Sequence, residues 1–151
     1  MKLVTFNING IRARLPRLTE YLAREQPDVA AVASRKGNQL HVMVWHYHDD
    51  DVAGPAATVS LRALGLPRSA RNPRITHYRI DADHSNSYSA WQKMGSPTAP
   101  NEKQYAELQA AAKLAMLNAG ETIATRRGQL DITFDLPRQG VSLLVIDLDA
   151  R

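Results

Sequence analysis

The sequence predicts a mainly β fold: an antiparallel β-sandwich with one inserted helix, preceded by a short N-terminal β-strand and an amphipathic helix. Three observations predict it. Short β-prone runs recur between turn residues, one stretch in the second half carries helix-capping chemistry, and strands do not alternate regularly with helices as a parallel α/β sheet demands. At 151 residues the chain is the size of one ordinary domain.

Residues 2–8 (KLVTFNI) alternate and read as a short strand ending at the Asn9-Gly10 turn signal. From Leu15, the apolar positions Leu15, Leu18, Tyr21 and Leu22 fall on one side of a helix, with Pro16 tolerated in its first turn and Pro27 ending it. Gln39 to Tyr47 is strongly β-prone. Leu40, Val42 and Val44 alternate there with Met43, Trp45 and Tyr47, so both faces are bulky and a central strand is expected. The acidic turn Asp49 to Asp51 and the Gly54-Pro55 pair precede strands predicted from Thr58 to Leu64 and from Arg74 to Ile80.

Ser85 to Gly95 reads as a loop with one or two helical turns around Trp91. Asn101 is a good helix cap and Gln104, three residues on, completes a capping box; Tyr105, Leu108, Ala112 and Ala115 continue one face. A helix from Glu102 to about Leu117, closed near Gly120, is expected. Leu130, Ile132, Phe134 and Leu136 then alternate with polar residues, the pattern of a strand with one wet face. Val141 to Leu148 is a nearly unbroken apolar run and reads as a buried strand.

Composition narrows the function classes. Hydrophobic residues make up 44% and charged residues 23%, as in globular proteins. Cysteine is absent, which excludes disulfides, thiolate metal sites and cysteine nucleophiles. No apolar run reaches membrane-spanning length, and residues 1–10 lack the features of a secretory signal, so a cytoplasmic product without membrane association is expected. The net charge of +4 is concentrated in residues 1–38, where Lys2, Arg12, Arg14, Arg17, Arg24, Arg35 and Lys36 face Glu20, Glu25 and Asp28. A short basic helix of this kind is most simply a solvated face, and nucleic acid is not an expected partner.

Two resemblances meet near residue 30. The FNINGIRAR string, Phe6 to Arg14, within residues 1–29 resembles the N-terminus of exodeoxyribonuclease III, of the endonuclease/exonuclease/phosphatase family. The resemblance implies a metal-dependent phosphodiester site to which Asn7 would belong. That site also needs a glutamate in a Leu-Gln-Glu-Thr-Lys motif, where this sequence has Val32, Ala33, Ser34, Arg35 and Lys36. A serine followed by an arginine is a poor substitute for a carboxylate on a hard cation. Asn7 therefore reads as a remnant of a magnesium-dependent nuclease.

The second resemblance rests on ASRKGNQLHVMVWHYHDDD (Ala33 to Asp51), THYRIDADHSNSYSAWQKMGSP (Thr76 to Pro97) and LPRQGVSLLVIDL (Leu136 to Leu148). In their order and spacing these resemble the C-terminal β-sandwich region of family 39 glycoside hydrolases, the β-xylosidase group. Two units are thus expected: residues 1–29 as a nuclease-like βα fragment, and residues 30–151 as a family 39 accessory sandwich, joined by fusion or truncation of longer genes. In that family the catalytic glutamates stand on a barrel preceding this region. Retaining hydrolysis needs two carboxyl groups about 5 Å apart, one of raised pKa. Glu102 and Glu107 fall on the predicted helix and Glu121 just beyond it, so no catalytic residue is expected.

Several clusters invite a sharper reading. His46, His48 and Asp49 to Asp51 could gather a metal, but a strand entering a solvated acidic turn explains them, and neither metal nor cofactor is expected. Asp81, Asp83, His84 and Ser85 contain triad side chains, yet neighbours in sequence rarely converge, and loop capping is the better reading. Among Trp45, Tyr47, Tyr78, Tyr88 and Trp91, core packing is the simpler expectation. Trp91 and Tyr88, with His84, are the candidates for binding a sugar. The expected function is a non-catalytic accessory module, with a carbohydrate-binding module or a nuclease remnant as alternatives. Its expected partners are a family 39 catalytic barrel, a xylan-type sugar, or a second copy through an exposed barrel-facing surface.

Overall fold

The computed structural model describes residues 28–50 and 52–149, together with residues 20 and 24 and the backbone of 3–7. The elements are β1 (Leu3–Asn7), β2 (Val29–Lys36), β3 (Gln39–His46), β4 (Ala57–Ala63), β5 (Arg74–Ile80), α1 (Ser87–Lys93), α2 (Glu102–Ala111), β6 (Ala115–Thr122), β7 (Leu130–Leu136) and β8 (Gly140–Asp147). Six strands form one sheet in the order β1-β2-β3-β8-β5-β6, and β4 pairs with β7 in a second sheet. The mainly β architecture and the antiparallel sandwich expected from sequence are both present. Only the β1–β2 pairing, among the described strands, is parallel.

The core follows from period-2 patterning. Val42 and Val44 of β3, Leu144 and Ile146 of β8, and Ile75 of β5 point inward from the large sheet. Ala57 and Val59 of β4 with Leu130 and Leu136 of β7 meet them from the small one. Burying Leu144 and Ile146, both fully inaccessible, stabilises the fold by about 2 kcal/mol each.

β8 is an interior strand, as its apolar run suggests, lying between β3 and β5, but it is not buried on both faces. Val141, Leu143 and Val145 are only half-buried, because the second sheet covers one side alone. On that outer side the register aligns Met43 with Leu143 and Tyr78, and Trp45 with Val141 and Ile80. Met43, Ile80 and, on β6, Met116 are 40%, 43% and 50% exposed.

One local expectation is corrected, and two elements take a form the sequence left open. The helix expected to reach Leu117 ends at Ala111, and Ala115 to Thr122 is a strand. The edge of β5 takes it: Arg79 pairs with Ala115 and Tyr78 with Met116, and the Ala115 N–H donates to Ser85 Oγ at 2.6 Å. Long-range pairing here overrides a sequence rich in helix formers. The one or two helical turns expected around Trp91 are present as α1, capped by Asn86, beside the inserted helix α2. Finally β2, alanine-rich and hard to read as a strand, pairs with β3 through a two-residue turn where Gly37 takes the left-handed φ of 58°.

Candidate functional site

The most organised polar region lies where β5 runs into α1. Arg79 and Asp81 are buried at the end of β5. The Arg79 guanidinium donates from Nε to Ser142 Oγ (3.0 Å), from Nη2 to the Asp135 carbonyl (2.8 Å) and from Nη1 to Asp81 Oδ2 (3.3 Å). Asp81 Oδ1 accepts from the backbone N–H groups of Asp83 and His84 (2.9 Å each) and from His84 Nδ1 at 2.8 Å. Burial alone would raise the Asp81 pKa. The Asp83 N–H, then the side chain and N–H of His84, outweigh it and hold the carboxyl below its ordinary value.

These bonds decide the triad question. His84 does meet Asp81, but Ser85 Oγ donates to the Arg79 carbonyl (2.7 Å) and accepts from Ala115 N. The serine and histidine are committed to different partners, so the cluster caps and anchors a loop. Asn86 continues the anchoring: its Nδ2 donates to the Asp81 carbonyl and its Oδ1 accepts from Ser89 N, starting α1.

Below Arg79, His77 is buried and its Nε2 lies 2.9 Å from Ser142 Oγ, with the ring edge-on to Phe134. Desolvation, reinforced by the Arg79 charge, lowers its pKa to about 4, so His77 is neutral at physiological pH. Neither Arg79 nor His77 was singled out from sequence. A strand alternating charged and apolar residues reads as half-solvated, and the partner that internalises the charge lies 63 residues away.

The histidines entering the acidic turn form a pair. His46 Nδ1 lies 3.1 Å from the Leu136 carbonyl, which can only accept, so that nitrogen carries the proton. Its Nε2 lies 3.0 Å from His48 Nε2, and the two rings meet edge to face. Asp50 is occupied by Arg138 and by Val52 N. Among the described residues no group of three or more metal-capable side chains gathers.

The proposed sugar residues are only partly brought together. Tyr88 and Trp91 stack on α1 with centroids 5.6 Å apart and planes inclined by 29°. Trp91 is half-buried and donates its indole N–H to the Pro97 carbonyl, whereas Tyr88 is 62% exposed. Tyr88 lines a groove of about 610 Å³ between α1, residues 52–54 and the β7–β8 turn. His84 instead lines a separate hollow of about 270 Å³ between α1 and α2. Trp45 and Tyr78 do not join the core expected of them; they stand half-buried on the outer face, and Tyr47 is exposed.

Sequence reasoning also passed over Arg138 and Gln139. Arg138 forms an ion pair with Asp50, and its Nε is buried without a hydrogen-bond partner. Gln139 donates from Nε2 to the carbonyls of His48 and Asp50, clipping that loop to the groove wall. A turn arginine and glutamine look solvated until the loop 90 residues upstream is placed against them. Asn7 stands beside Ala33 in the β1–β2 register; its side chain is outside the described residues.

The sandwich and its capped loop define a class. The model of the glycosyl hydrolases family 39 matches residues 17–129. The chain belongs to that family. Among solved structures, the family 39 enzyme from Xanthomonas axonopodis pv. citri is similar with a TM-score of 0.66 at 18% identity, over 78% of this chain and 25% of that one. A bacterial orthologue of human α-L-iduronidase gives 0.67 at 23%, over 82% and 22%. A monomeric β-xylosidase from Caulobacter crescentus CB15 gives 0.60 at 20%, over 78% and 26%. At these identities the likeness is one of fold, and the chain spans about a quarter of the length of each structure. No curated protein matches it.

Proposed function

We propose that this chain serves as the accessory sandwich of a family 39 glycoside hydrolase, seated against a catalytic barrel and supplying neither the acid/base nor the nucleophile. The observation that carries this reading is the state of Asp81. It is the buried carboxyl among the described residues, and its surroundings hold it ionised. A glycosidase general acid needs the reverse, a carboxyl of raised pKa facing a second one across the sugar. The apolar outer face, with Met43, Ile80 and Met116 exposed, suits docking onto a larger body.

The test is to assay the chain on an aryl β-xyloside alone and then to mix it with a separately expressed family 39 barrel. No turnover alone, with co-elution of the two in size exclusion, is expected. Turnover by the chain alone, abolished by Asp81→Asn, would reverse the assignment.

One observation favours a second reading as a carbohydrate-binding module. Tyr88 offers an exposed ring, backed by Trp91, beside the groove that Arg138 lines, and such a ring suits stacking on a sugar. Titration with xylo-oligosaccharides should show saturable binding that Tyr88→Ala weakens at least fivefold if this reading holds. Flat titrations of the intact chain remove it.

A further inference from the structure

The described arginines differ in whether they meet a counter-charge. Arg62, Arg79 and Arg138 each meet a carboxylate, from Asp131, Asp81 and Asp50 respectively. Arg68 and Arg71, in the β4–β5 connection, and Arg127, in the turn before β7, are exposed and make no ion pair or side-chain hydrogen bond. These three line one groove of about 880 Å³, and no acidic or aromatic residue lines it with them.

The groove is built by the fold. Leu66 N donates to the Gly128 carbonyl (3.0 Å) and Thr125 N to the Arg71 carbonyl (2.8 Å), while Thr125 Oγ1 donates to the carbonyl of buried Ala70 (2.7 Å). These bonds join the two walls. Arg126 and Gln129 exchange backbone hydrogen bonds of 2.9 Å, closing a two-residue turn in which Arg127 and Gly128 both have left-handed φ, 52° and 74°. Asparagine, aspartate or glycine suits the first position of such a turn. An arginine there is held against its backbone preference and placed at the groove.

We propose that this groove binds an acidic polysaccharide, with Arg68, Arg71 and Arg127 holding its carboxylate or sulfate groups. Converging cations without counter-charges raise the local potential, which an anion relieves, and the guanidinium fork matches both oxyanions in two parallel hydrogen bonds. A single-stranded nucleic acid would also be attracted, but it gains much of its affinity by stacking bases on aromatic rings, and none lines this groove. The site is independent of whether the sandwich docks on a barrel.

The test uses the intact chain in native gels containing polygalacturonate, dextran sulfate or neutral dextran, with a labelled single-stranded oligonucleotide titrated in parallel. Retardation by an acidic polymer and not by neutral dextran is expected; polygalacturonate alone would assign carboxylate, and dextran sulfate alone would assign sulfate. The combined Arg68→Gln, Arg71→Gln, Arg127→Asn variant should weaken retention about tenfold or more. Arg127→Asn by itself should weaken it about threefold while leaving the melting temperature equal or higher, since asparagine accepts the left-handed turn. The proposal is overturned by no retardation, by retention unchanged in either variant, by retention lost with Arg12→Gln and Arg14→Gln instead, or by tighter binding to the oligonucleotide than to both acidic polymers.

Discussion

His77 shows how one residue couples this fold to pH. Its pKa falls from 6.5 in the unfolded chain to about 4 in the folded one, so between those values the unfolded chain binds the extra proton. The stability it contributes is therefore whole above about pH 6.5 and drains away as pH falls toward 4, by at most about 3 kcal/mol. Urea midpoints at pH 7 and pH 5 should differ for the native chain and nearly coincide for His77→Gln. Asp81 acts lower on the scale: its depressed pKa gives stability present above the ordinary carboxylate range and lost as pH falls through its lowered value. At neutral pH, Asp81→Asn leaves the buried Arg79 without its counter-charge and should cost about 3 kcal/mol by chemical denaturation. A loss under 1 kcal/mol would mean that Ser142 and the Asp135 carbonyl suffice to hold Arg79.

Among the elements, α2 and β8 contrast most. The capping box expected from sequence at the start of α2 is formed: Gln104 N donates to Asn101 Oδ1 at 2.9 Å, and Asn101 N to Gln104 Oε1 at 3.0 Å. No residue of α2 is buried, so the helix depends on local bonds rather than on packing. Asn101→Ala should cost about 1 kcal/mol and raise hydrogen exchange within α2, leaving β8 protected. Leu144→Ala, which hollows the core between the sheets, should cost about 3 kcal/mol and accelerate exchange across both. Equal, global effects from the two variants would contradict this division. The same contrast explains what was legible. Chemistry confined to four residues, such as a capping box, can be read directly, whereas the helix's end is hidden because β5 competes for Ala115 to Thr122 through pairs such as Arg79 with Ala115 and Arg74 with Thr122, far apart in sequence.

On the scale of the whole molecule, the sheet leaves one apolar side toward solvent. Met43, Ile80 and Met116 share that side with half-buried Trp45, Tyr78 and Leu143. Such a surface favours association, so the native chain should sediment with a concentration-dependent mass. Met43→Lys with Ile80→Lys should make it monomeric with little change in the melting temperature, because neither side chain belongs to the core. Monomeric behaviour of the native chain at high concentration would show that this side needs no cover.

The sequence by itself determined the strands at 39–46, 57–63, 74–80, 130–136 and 140–147 to within a residue or two, and family membership through the strings around them. Alternation records which side of a strand is buried, and each chain segment carries that record locally. Tertiary structure alone decided that β8 lies between β3 and β5, that 115–122 is an edge strand, that Arg79 is internal, and that Arg68, Arg71 and Arg127 share a groove. Backbone hydrogen bonds along a strand edge are indifferent to side-chain identity. The partner of each edge, and with it every convergence of distant side chains, is settled only when all strands compete for pairing at once.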